Sequence, residues 1–244
     1  MAKTGTSRTS RTGYATAGAA LLVVAGGMFA VQQAGATTTT DQDGTQVTYA
    51  DAEHVGTTDE GMKYAPRPGK EFRGKTCPST VSAAPSLSAN ELEADSLPAT
   101  VPVGHSSDLS ALPDAPAAVR YDPSAPLGSH HGKTVIAGHV DYSPGTRSAA
   151  GGELSPFGHL HKIRPCEHIT ATDEAGRPHT YAVTDLYTVP QSEIESTGIF
   201  TRSGDPGLAL VTCSGPSVGD TGTTIGFAYR YNLVVEAAPV EVAA

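Results

Sequence analysis

From about Thr76 onward the chain is a succession of short apolar runs, each alternating residue by residue and each closed by a glycine or proline turn. "ATVPVG" (99–104), "KTVIAGHV" (133–140), "HITATD" (168–173), "HTYAVTDLYTV" (179–189), "LALVTC" (208–213) and "YRYNLVVEA" (229–237) all carry this pattern. A period of two puts alternate side chains on one face of a pleated ribbon, so these runs read as strands. The connections "PLGSHHG", "SPGTRSAAGGELSP" and "EAGRP" are turn chemistry. "SANELEAD" (88–95) reads as a short helix. No strand–helix alternation of the doubly wound kind occurs, and no internal repeat. The expectation is a single all-β barrel or sandwich with one or two short helices. The 27 glycines, 18 prolines and absence of tryptophan suit such a chain.

The first 75 residues differ in kind. Lys3, Arg8 and Arg11 precede an uncharged stretch, and no carboxylate appears before Asp41. Taken as a helix, Tyr14 to Val31 spans about 27 Å at ~1.5 Å per residue, close to the hydrocarbon thickness of a bilayer. The basic flank predicts the N-terminus inside and the remainder outside. Ala34-Gly35-Ala36 also resembles a signal-peptidase site, so a cleaved, secreted form is the alternative. Either way the chain is read as exported. The organisation expected is a basic cytoplasmic N-terminus (1–12), a transmembrane signal-anchor or signal peptide (13–36), an extracellular linker (37–75), a catalytic β-domain (76–239) and a tail (240–244). The linker is rich in Thr, Gly and acidic residues without an apolar period, which predicts a solvated tether. A net charge of -9 with no basic stripe excludes a nucleic-acid surface.

Three cysteines occur, an odd number, and export favours pairing of thiols. Cys77 in "TCPS" and Cys166 in "RPCEH" lie beside prolines in turn-like segments and are the better candidates for a disulfide, although spacing alone does not establish it. That pairing leaves Cys213, at the apparent end of the strand "LALVTC", as a free thiol. A cysteine with a pKa near about 8.5 is only a few per cent thiolate at neutral pH, so a nucleophilic role needs a base and a cation nearby. "TVIAGHVD" carries His139 just past an apolar run, and "FAYRYNLVV" carries Arg230 at the entrance of another.

The ordered set "TVIAGHVD", "LALVTCSGP" and "YRYNLVVEA" resembles the sortase family of exported cysteine transpeptidases, and within it the class F (actinobacterial) group. "PSL" (85–87), "VPVG" (101–104), "ALPDAPAAVRYDPSAPLG" (111–128) and "SPFGHLHKI" (155–163) fit the same group, so the resemblance runs from about Pro78 to Pro239. It implies a closed or nearly closed β-barrel preceded by a membrane helix. It also implies that Cys213 is the nucleophile, His139 the general acid/base and Arg230 the cation that holds the substrate carbonyl or its oxyanion. Thr212 and Asp141 are secondary candidates for the groove. The implied reaction cleaves an LPxTG-like sorting signal after threonine through a thioester, then transfers the protein to an amine of a cell-wall precursor. It calls on no cofactor or metal, and the partners implied are sorting-signal proteins, the wall amine and the membrane, with the enzyme a monomer.

Departures from the family pattern fall outside the three catalytic positions. The segment after the cysteine, "SGPSVGDTGTTIGFA", is longer than class F leads one to expect. Arg120-Tyr121 stands where an aromatic pair is usual, and Cys166-Glu167 where glycine and aspartate are common. Two other readings compete: a sortase-fold hydrolase with weak transfer, and a non-catalytic wall-binding β-domain. A zinc site at His130-His131, or at His159 and His161 of "HLH", which read as alternate residues of a strand would share one face, is less favoured, because no acidic ligand sits at characteristic spacing.

Overall fold

Strand pairing follows the alternation. The computed structural model describes residues 36–50, 63–110, 112–143, 145–218 and 228–243. In chain order its strands are β1 (Ala36–Thr40), β2 (Gln46–Ala50), β3 (Tyr64–Ala65), β4 (Thr80–Val81), β5 (Glu91–Ala94) and β6 (Val101–Ser106). They continue with β7 (Ala118–Tyr121), β8 (Lys133–Gly138), β9 (His168–Thr172), β10 (Pro178–Pro190), β11 (Gly207–Val218) and β12 (Ala228–Val242). Two 3-10 helices, Phe157–Lys162 and Gln191–Thr197, interrupt them. Hydrogen bonding runs β11-β8-β7-β6-β5-β9-β10-β12, and β12 pairs back onto β11, so eight strands close a barrel. The β6–β7 and β8–β11 pairs are parallel and the other pairs around the barrel antiparallel.

One set of alternate residues fills the interior. Leu92, Val101, Ala118, Ile136, Ile169, Val183, Leu210 and Val235 form one buried cluster, with Phe157, Leu160 and Ile163 of the first 3-10 segment packed among them. Burying each large aliphatic side chain contributes about 1.5–3 kcal/mol. The opposite parity does not face water on β8, β11 and β12. Val135, Ala137, Ala209, Val211 and Val234 form a second cluster, roofed by Leu109, Leu112, Ile194 and Phe200 from two loops. These three strands are buried on both faces, which is why they read as near-continuous apolar runs.

Four expectations from sequence change. "SANELEAD" is not a helix: Glu91–Ala94 is strand β5, with Leu92 and Ala94 buried and the glutamates turned outward, a period of two over four residues. "HLH" is not a strand: His159 and His161 lie in a 3-10 helix, where His161 faces the carbonyl of Gly158 and the carboxylate of Asp43. The strand carrying Cys213 does not end there; it continues to Val218 through a β-bulge between Ser214 and Ser217. Gly215, at φ +79, takes the left-handed conformation that the bulge requires.

The fourth concerns residues 37–75, whose described parts are built onto the barrel instead of trailing from it. β1 and β2 form a hairpin turned by Asp41, whose carboxylate accepts the N–H groups of Asp43 and Thr45. Asp43 reaches Lys162 at 2.9 Å and His161 at 3.3 Å. β3 pairs with Gly215 and Pro216 of β11, and Ser214 Oγ donates to the carbonyl of Pro66. Low apolar content hid this because many of the contacts are polar or backbone-mediated and the apolar ones come from scattered residues such as Tyr49, Tyr64, Ala65 and Phe72. Residues 1–35, on which the expected cytoplasmic N-terminus and nearly all of the expected membrane span fall, lie outside the described residues, as does most of the segment after Val218. Among the described residues no helix is long and apolar enough to cross a membrane.

Cys77 and Cys166 are joined by a disulfide across 89 residues of sequence. It ties the segment before β4 to the turn entering β9, where the Cys166 N–H also donates to the Val183 carbonyl at 2.8 Å.

Candidate active site

Register brings the three motif residues to one end of three adjacent strands. β8 and β11 run parallel with Val135 beside Ala209 and Ala137 beside Val211. Two residues on from that last pair are His139, just past the end of β8 at Gly138, and Cys213, within β11. Across the other edge of β11, Cys213 is paired with Asn232 of β12, and cross-strand partners share a face. Arg230 precedes Asn232 by two residues and is exposed on that face. His139 is partly buried, and Cys213 is the free cysteine, also partly buried.

Local packing explains why histidine sits where it does. Phe157 lies against the backbone of Gly138, so close that a Cβ there would stand 2.8 Å from its ring. Ser155 clasps the next residues, its N–H donating to the Val140 carbonyl and its hydroxyl to that of His139. Asp141 then bridges antiparallel to Leu154. Replacing Gly138 with alanine is expected to push the Phe157 ring away and shift His139. The expected readout is lower thermal stability by about 1–3 kcal/mol, with a loss of activity larger than that instability explains; an unaltered melting curve would contradict the close packing.

A cavity of about 340 Å³ opens over the cysteine. Leu109, Leu112, Ile194 and Phe200 form its apolar roof, while Gln191, Thr212, Cys213 and Asn232 line its polar floor. It meets a second cavity of about 490 Å³, which shares Leu109, Ile194 and Phe200 and adds Tyr121, Asp108 and Glu195. Together they form a groove that is apolar over the cysteine and more polar at Ser107, Asp108, Ser110 and Glu195, suited to an extended peptide.

The electrostatics of the thiol are unusual. Burial pushes the Cys213 thiol up to about 12, and the Asp141 carboxylate pushes in the same direction; a hydrogen bond from Gln191 opposes them. Asp141 is not a simple turn cap. Its Oδ2 accepts the Tyr229 hydroxyl at 2.7 Å and Gln42 Nε2 at 2.9 Å, which links the β1–β2 turn to the site. Burial, and then Asp141, also hold the Tyr229 phenol well above its ordinary value. Thr212 is buried with the opposite parity, and its hydroxyl has no hydrogen-bond partner among the described residues. Its carbonyl accepts from Asn232 Nδ2 at 3.5 Å.

Sequence reasoning missed Gln191, Asn232, Tyr229 and Gln42. Asn232 and Tyr229 lie inside the quoted "YRYN" motif, where strand alternation already set Asn232 on the side of Arg230. Gln191 and Gln42 carried no signal, since each reaches the site only through the tertiary fold. Arg67, whose guanidinium stacks 4.1 Å over the ring of Tyr231, is a second cation near the bulge that went unforeseen.

The chain is similar to several known proteins. Solved structures similar to the chain include sortase A from Corynebacterium diphtheriae in a lid mutant, 19% identical, covering 63% of this chain and 70% of that one at a TM-score of 0.46. Sortase C1 from Streptococcus agalactiae is 19% identical over 63% of this chain and 68% of that one, with a TM-score of 0.44. Sortase C-1 from Actinomyces oris is 19% identical over 62% and 73%, with a TM-score of 0.45. No curated protein matches the chain. The family model for the sortase domain matches residues 92–240, which is more than half of the sequence and spans β5 to β12. The chain therefore belongs to the sortase family.

Proposed function

We propose that this sortase is a membrane-anchored, exported, class F-like transpeptidase that cleaves an LPxTG-like sorting signal after threonine and joins the protein to a cell-wall amine. The observation that supports the reading is the pairing of Cys213 in β11 with Asn232 of β12, two residues from Arg230, with His139 just past the end of β8, the strand parallel to β11, beside a peptide-sized groove.

At rest Cys213 is a thiol. As its sulfur approaches the threonine carbonyl carbon, the thiol proton passes to His139 and an S–C bond forms. The carbonyl π electrons move onto oxygen, and Arg230 offers that oxygen a fixed, permanently charged donor fork. Collapse of the tetrahedral adduct breaks the C–N bond, and the glycine amine leaves with the proton that His139 holds. An acceptor amine then attacks the thioester, gives a proton to His139, and a new amide forms while sulfur takes the proton back. Two easier steps replace one hard amide exchange.

The test is the purified domain with an LPxTG-type peptide library, with and without an amine acceptor, read by mass spectrometry. The native protein is expected to give an adduct on Cys213 and an amine-dependent product, and Cys213→Ala neither. Undiminished product from Cys213→Ala would overturn the enzymatic reading in favour of a binding domain. Cleavage without any amine-dependent product would replace transfer by hydrolysis.

A further inference from the structure

Gln191 stands outside the three motifs, yet its carboxamide Nε2 donates to Cys213 Sγ at 3.8 Å. It is the first residue of the second 3-10 helix, directly after Pro190, which closes the pairing of β10 with Tyr231 of β12. β10 lies on the far side of β12 from β11, so Gln191 reaches across β12 to the sulfur from the end of β10. It also lines the same cavity as Cys213 and Asn232.

The charged and titratable groups around the sulfur come from two other elements. His139 and Asp141 follow β8; Tyr229 and Arg230 belong to β12. Of these, Asp141 disfavours a negative sulfur, and Tyr229 is committed to Asp141 through its hydroxyl. Arg230 is exposed. Gln191 differs from all four: it is neutral and its N–H points at the sulfur itself.

We propose that Gln191 is a catalytic hydrogen-bond donor that stabilises the Cys213 thiolate as the proton leaves for His139. This rests on Cys213 being the nucleophile. An N–H donor binds a charged acceptor roughly twice as strongly as a neutral one, so the bond tightens as charge develops on sulfur. The donor therefore favours the ionised state selectively, which is the requirement for lowering a barrier and not merely holding a side chain. It offsets the penalty that Asp141 imposes without adding charge to the groove.

The experiment follows iodoacetamide alkylation of Cys213 against pH by mass spectrometry, a readout independent of any sorting peptide. The near-isosteric Gln191→Met removes the donor and keeps the bulk. At about pH 8 it is expected to slow alkylation about tenfold, the equivalent of one pKa unit. Gln191→Glu, which puts a second carboxylate beside the sulfur, is expected to slow it further. Asp141→Asn removes the like charge, the second cause after burial, and so lowers the ionisation. In that background Gln191→Met should move the inflection up by about one unit at an unchanged plateau rate. An unmoved inflection, with or without a lower plateau, would overturn the proposal, a lower plateau marking a packing role instead. Failure of Cys213→Ala to abolish peptide transfer would sink the nucleophile reading separately, whatever the alkylation profile does.

Discussion

His139→Ala is expected to lower turnover of a sorting peptide by about 10²- to 10⁴-fold near neutral pH, the range associated with a positioned proton-transfer group. The size follows from the thiol. Burial, and then Asp141, push its ionisation up, so little of Cys213 is thiolate at pH 7. A sulfur so rarely ionised cannot act by waiting, so its proton must be taken while the S–C bond forms. His139, two positions beyond Ala137, is the imidazole that follows β8 and can carry a proton between the sulfur and an amine. The deficit has a pH signature. Each added pH unit makes about ten times more thiolate available without a base, so the gap between variant and native protein should narrow as pH rises. Steady-state rates of peptide cleavage from about pH 7 to about pH 10 measure it. A variant within threefold of native at neutral pH would remove His139 from the mechanism.

Replacing Cys77 and Cys166 together with alanine is expected to cost about 2–4 kcal/mol of stability, read as a lower denaturant midpoint. The bond closes a long loop of 89 residues, and cross-links over long loops restrict the unfolded chain most in the chain-entropy account. The loop contains β4 through β8 and the first 3-10 helix, so loss of the bond should also loosen the segment that leads into β4. Iodoacetamide labelling of Cys213 in the folded double variant should keep the native rate, because none of the groups around the thiol touches the disulfide. A midpoint unchanged within error would show that the residues are held by packing alone.

How much of this was legible beforehand depends on how the information is stored. β8, β10, β11 and β12 announce themselves through long apolar alternation, and the order of the histidine, cysteine and arginine motifs along the chain already suggested a shared edge. β5 was misread because Glu, Leu and Ala are good helix formers, and four residues give too few turns to separate a period of two from 3.6. β1 and β3 were invisible: "ATTTT" has no apolar alternation and pairs only with its hairpin neighbour β2, and the pair Tyr64-Ala65 owes its conformation to β11 across the fold. The bulge at Gly215 looked like a turn because both need a glycine at positive φ, and only the renewed pairing of Ser217 with Tyr229 tells them apart. The contacts around Asp141 join residues 88 and 99 positions away, beyond the reach of any local pattern.

The quiet thiol bears on the protein's durability as well as its chemistry. Peroxides attack thiolates, and disulfide exchange begins with one. A sulfur kept protonated by its burial and by Asp141 is the poorer target for both, which favours keeping the thiol reduced and the Cys77–Cys166 bond unexchanged. The carboxylate that slows ionisation thereby preserves the only unpaired cysteine for the moment a substrate fills the groove.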